Sequence, residues 1–343
     1  MRKSSFQEDK MFIQEQGTFD LAGYGNLDSK IAIVGDFSSG YDLNAKKPFS
    51  GPAGQVLENC LHAVGLIRSD LYYTNVIKCK ALYKEKFFLE GKTKFTEEGI
   101  KYVKLLQAEM SEVRANVILA AGPAAFAALC SIGNLSTYRG YIFPSTSLPG
   151  RKVIPIYHPA AAIRGMHIYQ RLIIADLKKA TVEQHFPEIR RPERQLVYNH
   201  PTITSALEWL DYYADQSIVG FDIEVLNYEV CCISFSSSPE LACVIPLSHL
   251  WTLEEELQLW RGIQKVLGNP NSIKVVQNGM FDIPFLLTRC GVQVRGEIHD
   301  TMVAHSVMFP ELQKGLGFLG SIYCGAQEYW KDTVKFKNIK DES

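Results

Sequence analysis

Short apolar runs alternate with helix-like patterns along the first half of the chain. The runs KIAIVGD, LYYTNVIK, ANVILAAG and KVIPIYH have the continuous β-branched character of strands that are buried on both faces. Between them, the segments GQVLENCLHAVG, EEGIKYVKLLQAEMSEVR and PAAFAALCS carry helical patterns. Because alternating strands and helices form βαβ units, this half predicts an α/β domain with a parallel sheet and helices on both faces.

A segment rich in proline and arginine ends this first half. The stretch PEIRRPERQLVYNHPT, which starts at residue 187, contains three prolines, and proline disfavours both helix interiors and central strands. We therefore predict two domains, residues 1–186 and 200–343, joined by a linker at residues 187–199.

The composition excludes several classes of protein. Apolar residues make up 46% of the 343 residues and charged residues 21%, so the chain has the composition of an ordinary globular protein and the length for two domains. The formal net charge of −1 gives no overall basic field, so any contact with nucleic acid must use local clusters of Lys and Arg. The eight cysteines form no CxxC pair and the polar start has no apolar core, which indicates a soluble protein of the reducing cytoplasm.

Two acids end an apolar run in the second half. In IVGFDIE, Asp222 and Glu224 are two positions apart, so a strand would place both on one face, where burying like charges is costly without a cation between them. Alternatively, the strand ends at Phe221 and both acids lie in solvent. A second apolar run, IKVVQNGMFDIPFLL, brings Asn278 and Asp282 into apolar surroundings and favours a metal site.

The segments DIE, QNGMFD and HDTMVAHSVMFPELQKGLGFLGSIY resemble the proofreading 3′–5′ exonuclease domain of family A DNA polymerases. The resemblance covers the chain from about residue 200 onward and implies a ribonuclease H-like α/β domain with a mixed sheet. It implies that Asp222, Glu224 and Asp282 are catalytic residues that hold Mg²⁺ or Mn²⁺. It also implies that Asn278 contacts substrate, whereas Asp300 is expected to support the site rather than to bind metal.

The fourth metal-binding acid of that family lies in a Tyr-x-x-x-Asp motif, and no such motif follows Tyr329. The resemblance therefore implies an exonuclease domain that is incomplete at its C-terminal side. We expect such a chain alone to have one weak metal site and slow activity or none. A polymerase domain, supplied in cis or as a separate chain, is the expected partner.

Polar and aromatic residues also mark the ends of the predicted strands in the first half, where open α/β sheets gather their functional groups. These residues are Asp36, Phe49, Asn75 and His158, with Gly35 directly before Asp36. Each has a structural alternative: the acid can cap a helix, the phenyl ring can belong to the core, the amide can close a turn, and the histidine can be structural.

Together, the segments GDFSSGYDLNAKKPFSGPAG, YYTNVIKCK, NVILAAGPAAFAAL, YRG and YHPAAAIR resemble the family 4 branch of the uracil-DNA glycosylase superfamily, over about residues 28–180. The resemblance implies a three-layer domain that takes a base out of the DNA stack into a pocket. There Phe49 would stack on a flipped uracil, Asn75 would bind its polar edge, and His158 would stabilise negative charge on the leaving base. Gly35 and Arg164 would also bind substrate.

Two departures from that family concern its chemistry. Asp36 would position a water or stabilise the cationic sugar, although the family has the longer glutamate at this position. The family's iron–sulfur cluster needs four cysteines, but the N-terminal segment MRKSSFQEDKMFIQEQG has none and only Cys79 falls at a matching position. No iron–sulfur cluster is therefore expected.

The order of the two resemblances is that of the N-terminal part of certain phage family A DNA polymerases. We therefore expect a DNA replication or repair protein that binds single-stranded 3′ ends and uracil-containing DNA, in the bacterial host cytoplasm if the gene belongs to a phage. The alternative is a non-catalytic accessory protein, in which two degenerate enzyme folds hold DNA or a polymerase.

Overall fold

The computed structural model describes residues 20–80, 86–88, 94–163, 167–190, 193, 195–197, 202–247 and 250–324. These residues form two compact units: the first contains the described residues up to 190 together with 317–324, and the second contains those from 193 to 316. The boundary between the two units falls within the segment 187–199 that the sequence assigns to a linker. Within the described ranges, no helix combines the length and the apolar character of a membrane span.

The first unit contains one sheet. Its strands are β1 (Tyr24–Gly25), β2 (Ile31–Ser38), β3 (Tyr72–Lys80), β4 (Val117–Ala121), β5 (Phe143–Pro144) and β6 (Lys152–Ile156). They lie in the order β1-β3-β2-β4-β6-β5. The inner strands β3, β2, β4 and β6 are parallel, whereas the short β1 and β5 pair antiparallel at the edges. The predicted parallel sheet is confirmed, with antiparallel edge strands added.

Helices cover both faces of this sheet. They are α1 (Gly40–Ala45), α2 (Pro52–His62), α3 (Glu97–Ser111), α4 (Pro123–Cys130), α5 (Leu135–Tyr138), α6 (Ala160–Ile163) and α7 (Ile168–Glu183). Along β2, Ile31 and Ile33 belong to one buried apolar cluster, with side chains of α2 and α7. Ala32 and Val34 belong to the other, with side chains of α3 and α4. This alternation creates the predicted three layers, since successive side chains of a strand point to opposite faces.

The second unit contains a mixed sheet. Its strands are β7 (Gln195–Val197), β8 (Ile218–Leu226), β9 (Glu229–Ser236), β10 (Leu241–Pro246), β11 (Ile273–Val276) and β12 (Ile298–Asp300), in the order β12-β11-β8-β9-β10-β7. β9 is antiparallel to both β8 and β10, and the other pairs are parallel. The predicted mixed sheet is therefore confirmed. Strand β7 lies inside the segment assigned to the linker.

The helices of the second unit are α8 (Ile203–Ala214), α9 (Leu253–Leu267), α10 (Gly279–Cys290) and α11 (Thr301–Met308). Buried side chains such as Leu210 of α8, Leu259 of α9 and Leu286 of α10 share one apolar cluster with the sheet. Helix α10 begins directly after β11, so the strand fixes where its first turn lies. That turn carries Asp282.

A last helix, α12 (Leu316–Tyr323), belongs from Gly317 onward to the first unit. Its Ser321 hydroxyl accepts a hydrogen bond from Arg139. Arg139 is fully buried and forms an ion pair with the equally buried Asp176 at 2.6 Å. A buried guanidinium needs such partners, because burying a charge without them is very costly. The sequence assigns this helix to the second domain, whereas its contacts are with the first unit.

Candidate functional site

A cavity of about 700 Å³ opens in the first unit, and four of the residues that the sequence singles out line it. They are Asp36, Phe49, Asn75 and His158. Asp36 lies on β2, Asn75 on β3, and His158 follows the end of β6. Because parallel strands end at the same edge of a sheet, residues that are far apart in the sequence meet in one site.

Asp36 caps helix α4. Its Oδ1 accepts hydrogen bonds from the backbone N–H groups of Ala124 at 3.0 Å and Ala125 at 2.9 Å. The first N–H groups of a helix have no partner within the helix, and the helix dipole favours a negative charge beside them. The helix-capping alternative for this acid is therefore present in the structure, although the residue also lines the cavity.

Gly122 leaves room for the Asp36 carboxylate at the start of α4. We expect a side chain at position 122 to displace that carboxylate. Gly122 has φ of +117°, and a Cβ atom would lie 2.4 Å from both carboxylate oxygens of Asp36. Gly122→Ala should lower the free energy of unfolding by about 1–3 kcal/mol through backbone strain alone. The displaced carboxylate should add to that loss, as urea unfolding would measure.

Gly150→Ala is the matched control for this prediction. Gly150 also has a positive φ, +79°, but a Cβ atom there would meet nothing within 4 Å. It therefore carries the backbone strain without the collision. Equal losses of stability in the two variants would contradict a specific role of Gly122 in seating Asp36.

Phe49 is held in an unusual conformation at the wall of the cavity. Its φ is +53°, in the left-handed region that bulky residues rarely adopt. Its ring is buried and stacks on the His158 imidazole, with centroids 5.8 Å apart and planes inclined by 24°. Backbone strain of this kind persists only where neighbouring groups fix it.

Two charged residues fix the loop that carries Phe49. The Asp42 carboxylate accepts hydrogen bonds from the N–H groups of Ser50 and Ser39, each at 2.7 Å. The Arg68 guanidinium donates to the Phe49 carbonyl oxygen at 3.0 Å. Neither residue is among those predicted from the sequence. Asp42 does carry a local signal, because SGYD has the spacing of a helix capping box, which the structure confirms.

Asn75 is brought against Gly35 by the pairing of β3 with β2, in which the two residues are opposite each other. A Cβ atom at position 35 would lie 2.2 Å from Asn75 Oδ1 and 2.8 Å from the Phe49 ring. Only glycine therefore allows the amide and the ring to approach at this point. The Asn75 side chain is buried, and its Nδ2 lies 3.2 Å from Ser38 Oγ.

His158 has one ring nitrogen occupied by the backbone. Its Nδ1 accepts a hydrogen bond from the N–H of Ala160 at 3.2 Å. In the neutral imidazole, one nitrogen accepts and the other carries the proton, so this contact leaves the proton on Nε2. The ring can therefore donate a hydrogen bond through Nε2 while it is uncharged. Arg164, the remaining predicted binding residue of this site, lies outside the described residues.

The acids of the second unit lie on and beside β8. Asp222 and Glu224 are exposed on one face of the strand, while Phe221 and Ile223 are buried on the other. The strand continues past Phe221 to its end at residue 226, so the alternative is wrong about where the strand stops. It is confirmed in placing both acids in solvent. Asp282, in the first turn of α10, is buried and its Oδ1 lies 3.4 Å from the N–H of Ile223.

These three carboxylates influence one another. Partial loss of hydration, then the negative charges of Asp282 and Glu224, raise the pKa of Asp222 to about 6. Loss of hydration also raises the pKa of Asp282. Carboxylate oxygens are the ligands that Mg²⁺ and Mn²⁺ prefer, so the residues fit such an ion in their chemistry. Across the described ranges, however, no three His, Cys, Asp or Glu side chains converge closely enough to form a metal-binding group.

Asp300 supports this region through the backbone. Burial favours its neutral form, but hydrogen bonds from four N–H groups outweigh that effect and lower the pKa of its carboxyl. Two of these groups belong to Asn278 and Gly279, and two belong to the first turn of α11. Asn278 itself has φ of +64° and begins α10. The supporting role expected for Asp300 agrees with these contacts.

The raised pKa of Asp222 predicts how pH affects stability. A carboxyl whose pKa is higher in the folded state than in the unfolded chain costs stability when it ionises, so the cost appears as the pH rises through about 6. Asp222→Asn should therefore raise the melting temperature at about pH 8 and change it little at about pH 4. Adding Mg²⁺ at the higher pH should stabilise the unsubstituted protein more than the variant.

Glu240→Gln is the control for this experiment, because it removes an exposed charge from the same unit and only the backbone of Glu240 makes hydrogen bonds among the described residues. Thermal melts of both variants at the two pH values would measure the effect. If Asp222→Asn raised the melting temperature equally at both pH values, charge repulsion at Asp222 would not be the cause of the increase.

Comparisons with known proteins agree with the division into two units. The profile of the uracil DNA glycosylase superfamily matches residues 22–178. A type-4 uracil-DNA glycosylase of Thermotoga maritima is 30% identical over 161 residues, which cover 47% of this chain and 80% of that protein. The enzyme of the same name from Archaeoglobus fulgidus is 32% identical over 150 residues, covering 42% and 71%. The chain belongs to the uracil-DNA glycosylase superfamily.

A second domain follows the glycosylase-superfamily domain. The profile of the 3′–5′ exonuclease family found in family A DNA polymerases matches residues 201–341. The DNA polymerase of Bacillus phage SP01 is 22% identical over 322 residues, which cover 84% of this chain but 33% of that polymerase. The similarity therefore extends through both domains, and the chain spans about a third of the phage protein.

Proposed function

We propose that this chain acts on DNA during replication or repair, with a pocket for flipped uracil in its first domain and a metal-dependent 3′–5′ exonuclease site in its second. The observation that carries the proposal is the convergence of Asp36, Phe49, Asn75 and His158 on one cavity. The similarity to a phage DNA polymerase over 84% of the chain supports a role beside a polymerase domain.

In the first domain, the proposed reaction is hydrolysis of the bond between uracil and deoxyribose. As this bond breaks, its electrons move onto the base, and negative charge develops on a uracil oxygen. His158 can donate a hydrogen bond to that oxygen through Nε2, because Ala160 occupies Nδ1. Such a donor stabilises charge strongly in a site with little water. The Asp36 carboxylate would balance the positive charge that develops on the sugar. The water oxygen would then bond to the sugar carbon, and the proton that the water loses would neutralise the uracil anion.

In the second domain, Asp222, Glu224 and Asp282 would hold the divalent ions. A bound Mg²⁺ or Mn²⁺ supplies Lewis-acid stabilisation of a phosphodiester undergoing attack by water. The three side chains would supply negative charge and oxygen ligands. Asp300 would hold the backbone of Asn278 and Gly279, and thus the start of the helix that carries Asp282.

A non-catalytic accessory protein is the second candidate, and two observations favour it. Asp36 is engaged by two backbone N–H groups at the start of α4, which compete with any water or sugar for its charge. In the described part of the second unit, the three carboxylates do not form a converging group. In this alternative, both pockets bind DNA without cleaving it.

Oligonucleotides that differ at one base distinguish a glycosylase from a non-catalytic accessory protein as the function of the first domain. The protein would be incubated with otherwise identical strands that carry uracil or thymine, and abasic sites would be detected by alkaline cleavage. Abasic product from the uracil strand alone supports the glycosylase. Preferential binding of uracil without abasic product supports the accessory protein. Equal affinity for both strands, without product, would refute a uracil pocket of either kind.

A further inference from the structure

The amide of Asn75 is tied to a hydroxyl that has its own fixed partner. Ser38 and Asn75 are almost completely buried, with 1% and 3% of their surfaces exposed. Ser38 Oγ lies 3.2 Å from Asn75 Nδ2 and 3.5 Å from the carbonyl oxygen of Ile77. The register of β2 against β3 shifts between Phe37 and Ser38, and such a bulge changes the direction of the following side chain.

This arrangement determines which way the amide faces. A backbone carbonyl oxygen can only accept a hydrogen bond, so the Ser38 hydroxyl directs its proton to Ile77. The lone pairs of Ser38 Oγ then need a donor, and Nδ2 is the part of the Asn75 amide that can donate. The Ile77 carbonyl oxygen thus sets the direction of the Ser38 hydroxyl, and that hydroxyl sets the orientation of the Asn75 amide. Among the described residues, Oδ1 of Asn75 accepts no hydrogen bond, so it is left for a ligand.

The direction of the amide matters because uracil and cytosine differ by the reversal of two groups. Uracil presents an acceptor at O4 and a donor at N3–H, whereas cytosine presents a donor amino group at C4 and an acceptor at N3. An amide with a fixed direction can pair with one of these edges only. If it rotates by half a turn, its donor and acceptor exchange places and match the other base.

We propose that Ser38 is a specificity-determining residue that fixes the Asn75 amide in the direction that accepts uracil and rejects cytosine. This inference rests on the proposed uracil pocket and adds the device that sets its selectivity. Ser38 acts through Asn75 and is thus a positioning residue. Thymine has the same donor and acceptor pattern as uracil on this edge, so Ser38 has no influence on the choice between those two bases.

The test is competition binding of the full chain to single-stranded oligonucleotides that carry one uracil, cytosine or thymine. Ser38→Ala removes the hydroxyl, so the amide is free to rotate. We expect the preference for uracil over cytosine to fall by about tenfold, while the preference for uracil over thymine stays unchanged. Ser38→Thr retains a hydroxyl and should restore much of the uracil preference.

Ser145→Ala controls for the loss of a buried hydroxyl, because Ser145 is also buried and donates to the carbonyl oxygen of Leu129 at 2.8 Å. It should leave both preferences unchanged. A Ser38→Ala protein that still prefers uracil over cytosine as strongly as the unsubstituted chain would overturn the inference while leaving the uracil pocket intact. An unsubstituted chain with no preference for uracil over cytosine would instead refute the pocket itself, and the inference with it.

Discussion

Replacement of His158 by alanine is expected to slow the release of uracil by about 10²–10³-fold, the usual effect of removing one hydrogen-bond donor to developing negative charge. The expectation follows from the contact of Nδ1 with the N–H of Ala160, which leaves Nε2–H as the only donor on the neutral ring. The variant should bind uracil-containing DNA nearly as well as before, because the stabilised charge appears only as the bond breaks. Single-turnover rates and binding constants would separate the two effects.

His185→Ala is a suitable control, since His185 is an exposed histidine of the same unit and should have no effect on either quantity. His158 also stacks on the Phe49 ring, so its removal can loosen that wall of the cavity. If the loss were due to packing alone, binding would weaken in proportion to the rate. A proportional fall in both would contradict the assignment of His158 as the donor to the leaving base.

The strands of the first unit were predictable because they are buried on both faces. β4 therefore appears in the sequence as an unbroken apolar run, and β2 appears as one from Ile31 to Gly35, before Asp36. β7 was not predictable, because its three residues lie in a stretch with prolines and arginines. That strand is defined by its pairing with β10, a contact between distant residues that local composition does not encode.

The candidate site was predictable as far as it depends on strand ends. His158 follows β6 and Asp36 lies near the end of β2, and a parallel sheet brings such positions together. The placement of Asn75 at a strand end was wrong, because β3 continues to Lys80. The hydrogen bonds that fix the loop of Phe49 were not predictable, because Arg68 and Asp42 bind backbone atoms of that loop rather than side chains. Whether a carbonyl oxygen or an N–H group is within reach depends on the tertiary conformation, here one with positive φ at Phe49.

For the acids of the second unit, too, the sequence predicted only part of the arrangement. Alternation along a strand correctly placed Asp222 and Glu224 on one face. It left open whether the two acids would be buried around a cation or exposed to solvent, and the structure exposes both while Asp282 is buried. Asp282 and Leu286 are four positions apart and therefore share one face of α10. Leu286 belongs to the apolar cluster of this unit, so the burial of Asp282 follows from tertiary packing of the helix.

Asp222→Ala is expected to abolish metal-dependent removal of nucleotides from single-stranded 3′ ends. The negative charges of Asp282 and Glu224 both raise the pKa of Asp222, so a cation bound by Asp222 would relieve its repulsion with each of them. Loss of several kcal/mol of charge stabilisation by the metal corresponds to more than about 10³-fold in rate. Digestion of end-labelled DNA with Mg²⁺ or Mn²⁺ would measure it, using the chain alone and with a segment that supplies a Tyr-x-x-x-Asp motif.

Glu240→Ala provides the matched loss of an exposed acid from the same unit and should retain the activity. Calorimetric titration with Mn²⁺ adds a readout that does not depend on turnover: the unsubstituted chain should bind the ion more tightly than Asp222→Ala, and binding should weaken below about pH 6 as protons compete for the carboxylate. Because ionised Asp222 repels its neighbours, a cation should draw the three side chains together. Vigorous digestion that persists in Asp222→Ala would place the metal elsewhere in the protein.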